Sequence, residues 1–204
     1  MPIFITGTDT NVGKTIVAAW LCVHLKTTYW KPIQTGTDSD TKKVKELSST
    51  ITLKEQFLLK APLSPYMAAK LENIKIDTNT IFLPSIKNLV IEGAGGIMVP
   101  IKKDFFMIDL IEQFSIPSLI VSRSSLGTIN HTILTVEALL NRNMPILGII
   151  MNGFCSKELK NTIEELCRIP ILDVLPTLEK ITPQTLKEKC LSQTLKKVLD
   201  YELN

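Results

Sequence analysis

Short apolar or β-branched runs recur along this chain, each followed by a turn signal and then by a stretch with helical periodicity. This alternation restricts the fold more than any other feature of the sequence. The runs are Ile3 to Thr6, Tyr29 to Ile33, Leu89 to Ile91, Ser118 to Ser122, Ile146 to Met151 and Ile171 to Leu175. Most are apolar throughout, as parallel strands covered on both faces should be. Between them, Lys14 to Lys26, Ile108 to Phe114, Thr128 to Asn141 and Lys157 to Cys167 suit helices, with Thr128 as a cap. Strand followed by helix followed by strand makes βαβ units, so the expected fold is α/β, a mostly parallel central sheet flanked by helices. Residues 34 to 88 are the least readable part, although Pro65 to Leu71 reads as a short helix opened by Ser64-Pro65. No repeat, low-complexity tract or linker divides the chain. Its 204 residues, 45% of them hydrophobic, suit one domain over residues 1–204.

In an open parallel sheet, ligands bind beyond the carboxyl ends of the strands, and the unusual polar residues of this sequence fall there. The first strand runs into Gly7-Thr8-Asp9-Thr10-Asn11-Val12-Gly13-Lys14-Thr15 and then into the apolar helix Ile16-Val17-Ala18-Ala19-Trp20-Leu21. Strand, loop, Gly-Lys-Thr and helix in this order form a phosphate-binding loop, which makes the expected fold that of a phosphate-loop NTPase. Backbone N–H groups of such a loop converge on phosphate oxygens, and the helix N-terminus adds partial positive charge. Lys14 then reaches the outer phosphates of a nucleoside triphosphate, expected to be ATP, and Thr15 offers its hydroxyl to magnesium. The usual pattern has a glycine at the position of Thr8, whereas here the glycine stands one place earlier.

Nucleotide-bound magnesium takes one or two carboxylates beside phosphate oxygens and water. Glu92 ends the apolar run Leu89-Val90-Ile91 and precedes four small residues, which places it at a strand tip where backbone can approach phosphate. Asp40, in Asp38-Ser39-Asp40, is a second candidate, but the same stretch before Lys42-Lys43 equally suits the cap of a solvated helix. Lys31, near the end of the second run, could hold a transferring phosphoryl group. It could also be a strand-edge lysine in solvent.

The remaining composition narrows the partners. The 23 basic and 20 acidic residues leave a net charge of +3, spread along the chain, so nucleic acid is not the expected partner. Cys22, Cys155, Cys167 and Cys190 have neither the pairing of a zinc site nor the setting of a disulfide framework, and read as thiols in a reducing cytoplasm. The N-terminus lacks the pattern of a signal peptide, and no apolar stretch approaches membrane-spanning length.

Four segments together closely resemble dethiobiotin synthetase: Gly7 to Thr15, Lys31-Pro32-Ile33-Gln34-Thr35-Gly36, Glu92-Gly93-Ala94-Gly95-Gly96 and Leu126-Gly127-Thr128-Ile129-Asn130-His131-Thr132. The Gly-Thr-Asp-Thr opening distinguishes that family from most phosphate-loop proteins and accounts for the displaced glycine. Order and approximate spacing agree from Ile3 to about Leu178, and the last 25 residues or so carry no recognised motif. The resemblance implies closure of a cyclic urea from 7,8-diaminononanoate and carbon dioxide with ATP and magnesium, a step of biotin synthesis. It places Asn11, Val12, Gly13, Lys14, Thr15 and Ile16 around the phosphates, and makes Thr15, Asp40 and Glu92 magnesium ligands. Thr10, Lys14 and Lys31 would face the reacting groups, and Thr35 the diamine. Glu92, Gly93, Ala94 and Gly95 would line the nucleotide site, while Asn152, Gly153, Pro176, Thr177 and Leu178 would meet the adenine. It also implies a homodimer in which the loop from Ser122 to Asn130 of one subunit helps hold the other subunit's diamine.

The sequence departs from the family at Tyr66, where histidine is common, and in the short stretch between Gly36 and Asp40. His131 is expected to position backbone and a neighbouring chain, and His24 to be structural. The rival reading is a nucleotide-switch ATPase of the partitioning or assembly type. Such proteins carry an extra lysine early in the loop, and no lysine precedes Lys14 here. Amide-forming ligases of the cobyrinate type bring a glutamine-hydrolysing domain, for which 204 residues leave no room.

Overall fold

The structure is a computed structural model, and it describes residues 1–199, so the expected domain over 1–204 extends past the described residues. In chain order the first part comprises β1 (Ile3–Gly7), α1 (Lys14–His24), β2 (Thr28–Trp30), β3 (Ile33–Thr35) and α2 (Asp40–Ser48). There follow β4 (Ile51–Thr52), β5 (Phe57–Leu59), α3 (Pro65–Leu71), a 3-10 turn (Thr78–Thr80), β6 (Leu89–Gly96), β7 (Pro100–Lys102) and β8 (Phe105–Phe106). The remainder is α4 (Met107–Phe114), β9 (Ser118–Arg123), α5 (Thr128–Leu140), β10 (Ile146–Asn152), α6 (Lys157–Cys167), β11 (Ile171–Leu175), α7 (Pro183–Glu188) and α8 (Gln193–Leu199).

Seven strands form one sheet in the order β11-β10-β9-β1-β6-β2-β4, and every pairing in it is parallel. Alternation along each strand then sorts the apolar side chains onto two faces. Phe4, Leu89, Ile91 and Ile120 go to one core, with Ile108, Leu110, Val136 and Leu139 of α4 and α5 closing over it. Ile3, Ile5, Val90, Leu119 and Val121 go to the other, covered by Val17, Leu21, Val44, Leu186 and Leu195 of α1, α2, α7 and α8. Helices on both faces of a parallel sheet are the expected architecture, and the seven strands account for why the runs are apolar on both sides.

Three expectations need correction. The run from Tyr29 to Ile33 is not one strand. Pro32 has no N–H to continue a ladder, so the chain breaks after Trp30 and β3 pairs instead with β5 in a separate small sheet. Glu92 is not at a strand tip, because β6 continues through the four small residues to Gly96, which pairs with Gly7. Glycine at 93 permits this: a Cβ there would lie 2.7 Å from the Phe4 ring. Thr128 is the first residue of α5 rather than its cap, which is Gly127 at φ 94°. The Thr128 hydroxyl instead meets Ser122 Oγ at 2.8 Å, and that oxygen also meets Thr132 Oγ1 at 3.0 Å, joining α5 to the end of β9.

The unread stretch contains α2, whose N-cap is Ser39: its hydroxyl accepts from the Lys42 N–H. The C-terminal part packs as well. Trp20 Nε1 donates to Lys189 O, His24 Nε2 lies 3.2 Å from Leu186 O, and the Ser192 N–H donates to Asp173 Oδ2. Among the described residues, no helix is long and apolar enough to cross a membrane.

Candidate active site

The site lies where β1, β2 and β6 deliver their carboxyl-end residues beneath the Gly7 to Thr15 loop. Asn11 at φ 60° and Gly13 at φ 95° turn the loop back so that α1 starts at Lys14. The Val12 side chain turns down into the core beside Val17 and Ile5, which anchors the loop from below. Thr10, Asn11, Gly13, Lys14, Thr15 and Ile16 face a cleft of about 740 Å³, whose opposite walls include Lys31, Thr35, Asp40, Glu92, Ala94 and Gly95.

At the floor of this cleft is a tight cluster of charge. Thr15 Oγ1 lies 2.8 Å from Asp40 Oδ1 and 2.9 Å from Glu92 Oε1, so one hydroxyl proton serves two carboxylates. Lys31 Nζ bridges the same acids, 2.7 Å from Asp40 Oδ2 and 2.9 Å from Glu92 Oε1. Glu92 is 1% exposed and Lys31 4%. Two carboxylates this close, Glu92 buried and Asp40 half-buried, stay ionised only with cationic or hydrogen-bonding partners. Burial works against the charge on Lys31, but Glu92 and Asp40 outweigh it and hold its pKa above the usual lysine range. Burial likewise works against the Asp40 charge, and Lys31 together with the Thr15 hydroxyl brings its pKa below the usual carboxylate range. For Lys14 burial dominates and brings the pKa down to about 8, while its ammonium donates to Asp9 O at 3.1 Å. A nucleotide entering the cleft would meet an ammonium whose desolvation has already occurred.

Three oxygen donors, two of them anionic, with a single hydroxyl proton among them suit a hard divalent cation whose other ligands come from phosphate and water. Thr15, Asp40 and Glu92 therefore fit a nucleotide-bound magnesium ion.

Two organising residues escaped sequence reasoning. The Tyr29 hydroxyl donates to Glu92 Oε2 at 2.7 Å from within the core. Burial, and then the facing carboxylate, push the phenol well above its ordinary pKa, so it remains a donor. The buried Gln34 amide ties down the short segment after β3: Nε2 donates to Thr35 O at 2.8 Å and Asp38 O at 3.0 Å, and Oε1 accepts from the Asp40 N–H at 3.1 Å. A glutamine inside an apolar strand was the available signal for Gln34. Tyr29 gave none, since an aromatic in a strand is ordinary core.

The other expected residues divide. Thr10 lies beside Gly95, where a Cβ would be 3.4 Å from Thr10 Oγ1 and 2.6 Å from Val99 Cγ2. Gly93 is buried against Phe4 and does not face the cleft. Asn152 and Gly153 end β10 on the other side of the loop: Asn152 Nδ2 donates to Val12 O at 2.9 Å and stands directly over Gly13. Gly153 lies beside Thr177, whose Oγ1 is 3.8 Å from where a Cβ would be, and its N–H donates to Leu175 O. Pro176 and Thr177 are exposed, and Leu178 packs against the core under α1. These residues form a rim beside the loop, separate from the walls of the cleft.

Comparison with known proteins adds a family to this geometry. A family model described as an AAA domain matches residues 2–185. The chain is 46% identical over 202 residues to the ATP-dependent dethiobiotin synthetase BioD of Lawsonia intracellularis, an alignment covering 97% of this chain and 98% of that protein. It is 44% identical over 188 residues to the protein of the same description from Paramagnetospirillum magneticum, covering 90% and 92%. Among solved structures, the MinC:MinD cell division protein complex of Aquifex aeolicus shares the fold, with a TM-score of 0.56 at 15% identity over 98% of this chain and 94% of that one. The MinD protein of Pyrococcus horikoshii with Mg-ADP gives a TM-score of 0.54 at 16% identity, covering 97% and 92%. At these identities the structural likeness concerns the fold alone.

Proposed function

Since the chain belongs to the dethiobiotin synthetase family, we propose that it closes the cyclic urea of dethiobiotin from 7,8-diaminononanoate and carbon dioxide at the expense of ATP. One amine of the diamine takes up carbon dioxide as a carbamate. The carbamate oxygen attacks the γ-phosphorus of ATP and ADP leaves. The second amine then attacks the carbonyl carbon of the resulting anhydride and expels phosphate, closing the ring. No side chain is needed as an independent base, because a free amine attacks the anhydride directly.

The observation that carries this reading is Lys31, a buried cation held between two carboxylates a few ångströms from the phosphate loop. A carbamate and a triphosphate repel each other, and bringing them together needs fixed positive charge at the point where phosphoryl moves. Lys31 and Lys14 supply it from opposite walls of the cleft, and Thr10 lies on the Lys14 side. The loop from Asn11 to Ile16 holds the phosphates through backbone donors, and Thr15, Asp40 and Glu92 hold magnesium, which when bound neutralises charge on the phosphate oxygens. Thr35 faces the diamine and its carbamate. Ala94 and Gly95 let the backbone of β6 come close to the nucleotide, while Gly93 lets that strand pass Phe4 behind them. Asn152, Gly153 and the Pro176 to Leu178 segment meet the adenine, for which an amide offers both a donor and an acceptor.

The reading includes a cytoplasmic homodimer. The dimer is supported by the full exposure of Leu126, at the turn between β9 and α5, and the exposure of Phe154 just past β10, two large apolar side chains that follow the carboxyl ends of neighbouring strands. Phosphate release measured with and without 7,8-diaminononanoate and bicarbonate tests the proposal. Release that depends on both is the expected result, and equal ATP consumption in their absence would refute it.

A further inference from the structure

Glu92 has two carboxylate oxygens with different surroundings. Oε1 faces the cleft and meets Thr15 and Lys31. Oε2 points into the core and receives the Tyr29 hydroxyl at 2.7 Å. Tyr29 is fully buried, belongs to the core cluster of Val90 and Cys22, and does not line the cleft. Its position follows from register: Tyr29 pairs with Val90 on the neighbouring strand, and Glu92 lies two residues on, on the same face of the sheet. The side chain reaches from the core to the back of the carboxylate without touching any space that substrate could occupy.

We propose that Tyr29 is a positioning residue for the metal-binding acid: its phenol fixes the carboxylate plane of Glu92 so that Oε1 alone is presented to the divalent cation. A carboxylate on a two-torsion stem inside a parallel sheet can rotate, and with Oε2 unpartnered it would turn to satisfy both oxygens from Thr15 and Lys31. The phenol removes that alternative. Outer hydrogen-bond partners of metal-binding side chains commonly matter tenfold or more in metal affinity. The inference rests on the proposed role of Glu92 as a magnesium ligand, so the test measures the two separately.

The probe is Mn2+ titrated into the complex with ADP, with bound and free metal distinguished by electron paramagnetic resonance, on wild type, Tyr29→Phe and Glu92→Gln. Tyr29→Phe is expected to weaken Mn2+ binding by about tenfold, while the dissociation constant for ADP measured in EDTA stays within about twofold. Replacing Tyr29 by 4-aminophenylalanine, which keeps an N–H donor at the ring tip, is expected to restore most of the loss. Val90→Ala, which removes packing from the same core without touching Glu92, is expected to lower Tm and leave Mn2+ affinity unchanged. Unchanged Mn2+ affinity in Tyr29→Phe beside a weakened Glu92→Gln would overturn the role of Tyr29 and spare that of Glu92. Unchanged affinity in both variants would remove Glu92 as a ligand and the inference with it. An equal loss of metal-free ADP binding in Tyr29→Phe would also overturn the inference, because the phenol would then be supporting the whole pocket.

Discussion

Replacing Gly13 by alanine probes the loop more sharply than any other single change. Gly13 sits at φ 95°, ψ 26°, a left-handed conformation that costs an L-residue about 1–2 kcal/mol. A Cβ would also stand 2.0 Å from Asn152 Nδ2, so the amide must move and abandon its hydrogen bond to Val12 O, worth about 0.5–1.5 kcal/mol. Together these terms give about 1.5–3.5 kcal/mol, which in a chain of this size lowers Tm by roughly 3 to 14 °C. The loop N–H groups turn with the strained residue, and ADP binding should weaken at least about tenfold, a loss of roughly 1.4 kcal/mol. A double-mutant cycle separates the two terms. Asn152→Ala alone loses the same hydrogen bond, so Gly13→Ala with Asn152→Ala should cost no more than Gly13→Ala, leaving the singles non-additive by about 1 kcal/mol. Thermal unfolding and ADP titration on all four proteins give the answer. Full additivity, or a Gly13→Ala protein with wild-type Tm and ADP affinity, would refute the reasoning. The adenine role proposed for Asn152 is read in the same set, as a raised KM for ATP in Asn152→Ala with a smaller loss of kcat.

Other consequences follow from the same geometry. Lys31→Ala removes the cation between two acids and should lower kcat by about 10²–10³, with destabilisation of about 3 kcal/mol or more from the uncompensated Glu92; near-normal turnover would remove Lys31 from the chemistry. Gln34→Ala deletes three hydrogen bonds, worth together roughly 2–4 kcal/mol. It should speed tryptic cleavage at Lys42 and Lys43, and unchanged proteolysis would show that the segment after β3 holds itself. Leu126→Asp should convert a dimer to monomers in light scattering after gel filtration, and a dimer of wild-type affinity would place the contact elsewhere.

Much of this fold is legible in the sequence because its signals are local. α6 and β11 have their expected bounds, the first with Ser156 capping Leu159 and an apolar stripe ending at Cys167, the second as a short run that is apolar except for Asp173. α2 escaped because only Val44 and Leu47 of its nine residues are buried, which leaves too few apolar positions to show a period. The break after Trp30 was available in Pro32, yet an apolar run hides it. Glu92 was expected at a strand end because glycines ordinarily terminate strands. Here they continue one, since β6 passes so close to Phe4 that only glycine fits at 93. Within the site, Lys14 and Thr15 open α1, Lys31 follows β2, Asp40 opens α2 and Glu92 lies within β6, so the topology brings together residues from four separate stretches of the chain. The link between Tyr29 and Glu92 depends on the register of two strands sixty residues apart, which no local pattern encodes.

The central claim is that ATP phosphorylates a carbamate rather than water, and oxygen transfer tests it most directly. Bicarbonate labelled with 18O, mixed into unlabelled water with ATP, magnesium, the diamine and enzyme, should place label in the carbamate and one labelled oxygen in each phosphate released during the first turnovers. Phosphate that carries no label, its fourth oxygen coming from solvent, would mean hydrolysis by water and would contradict the account.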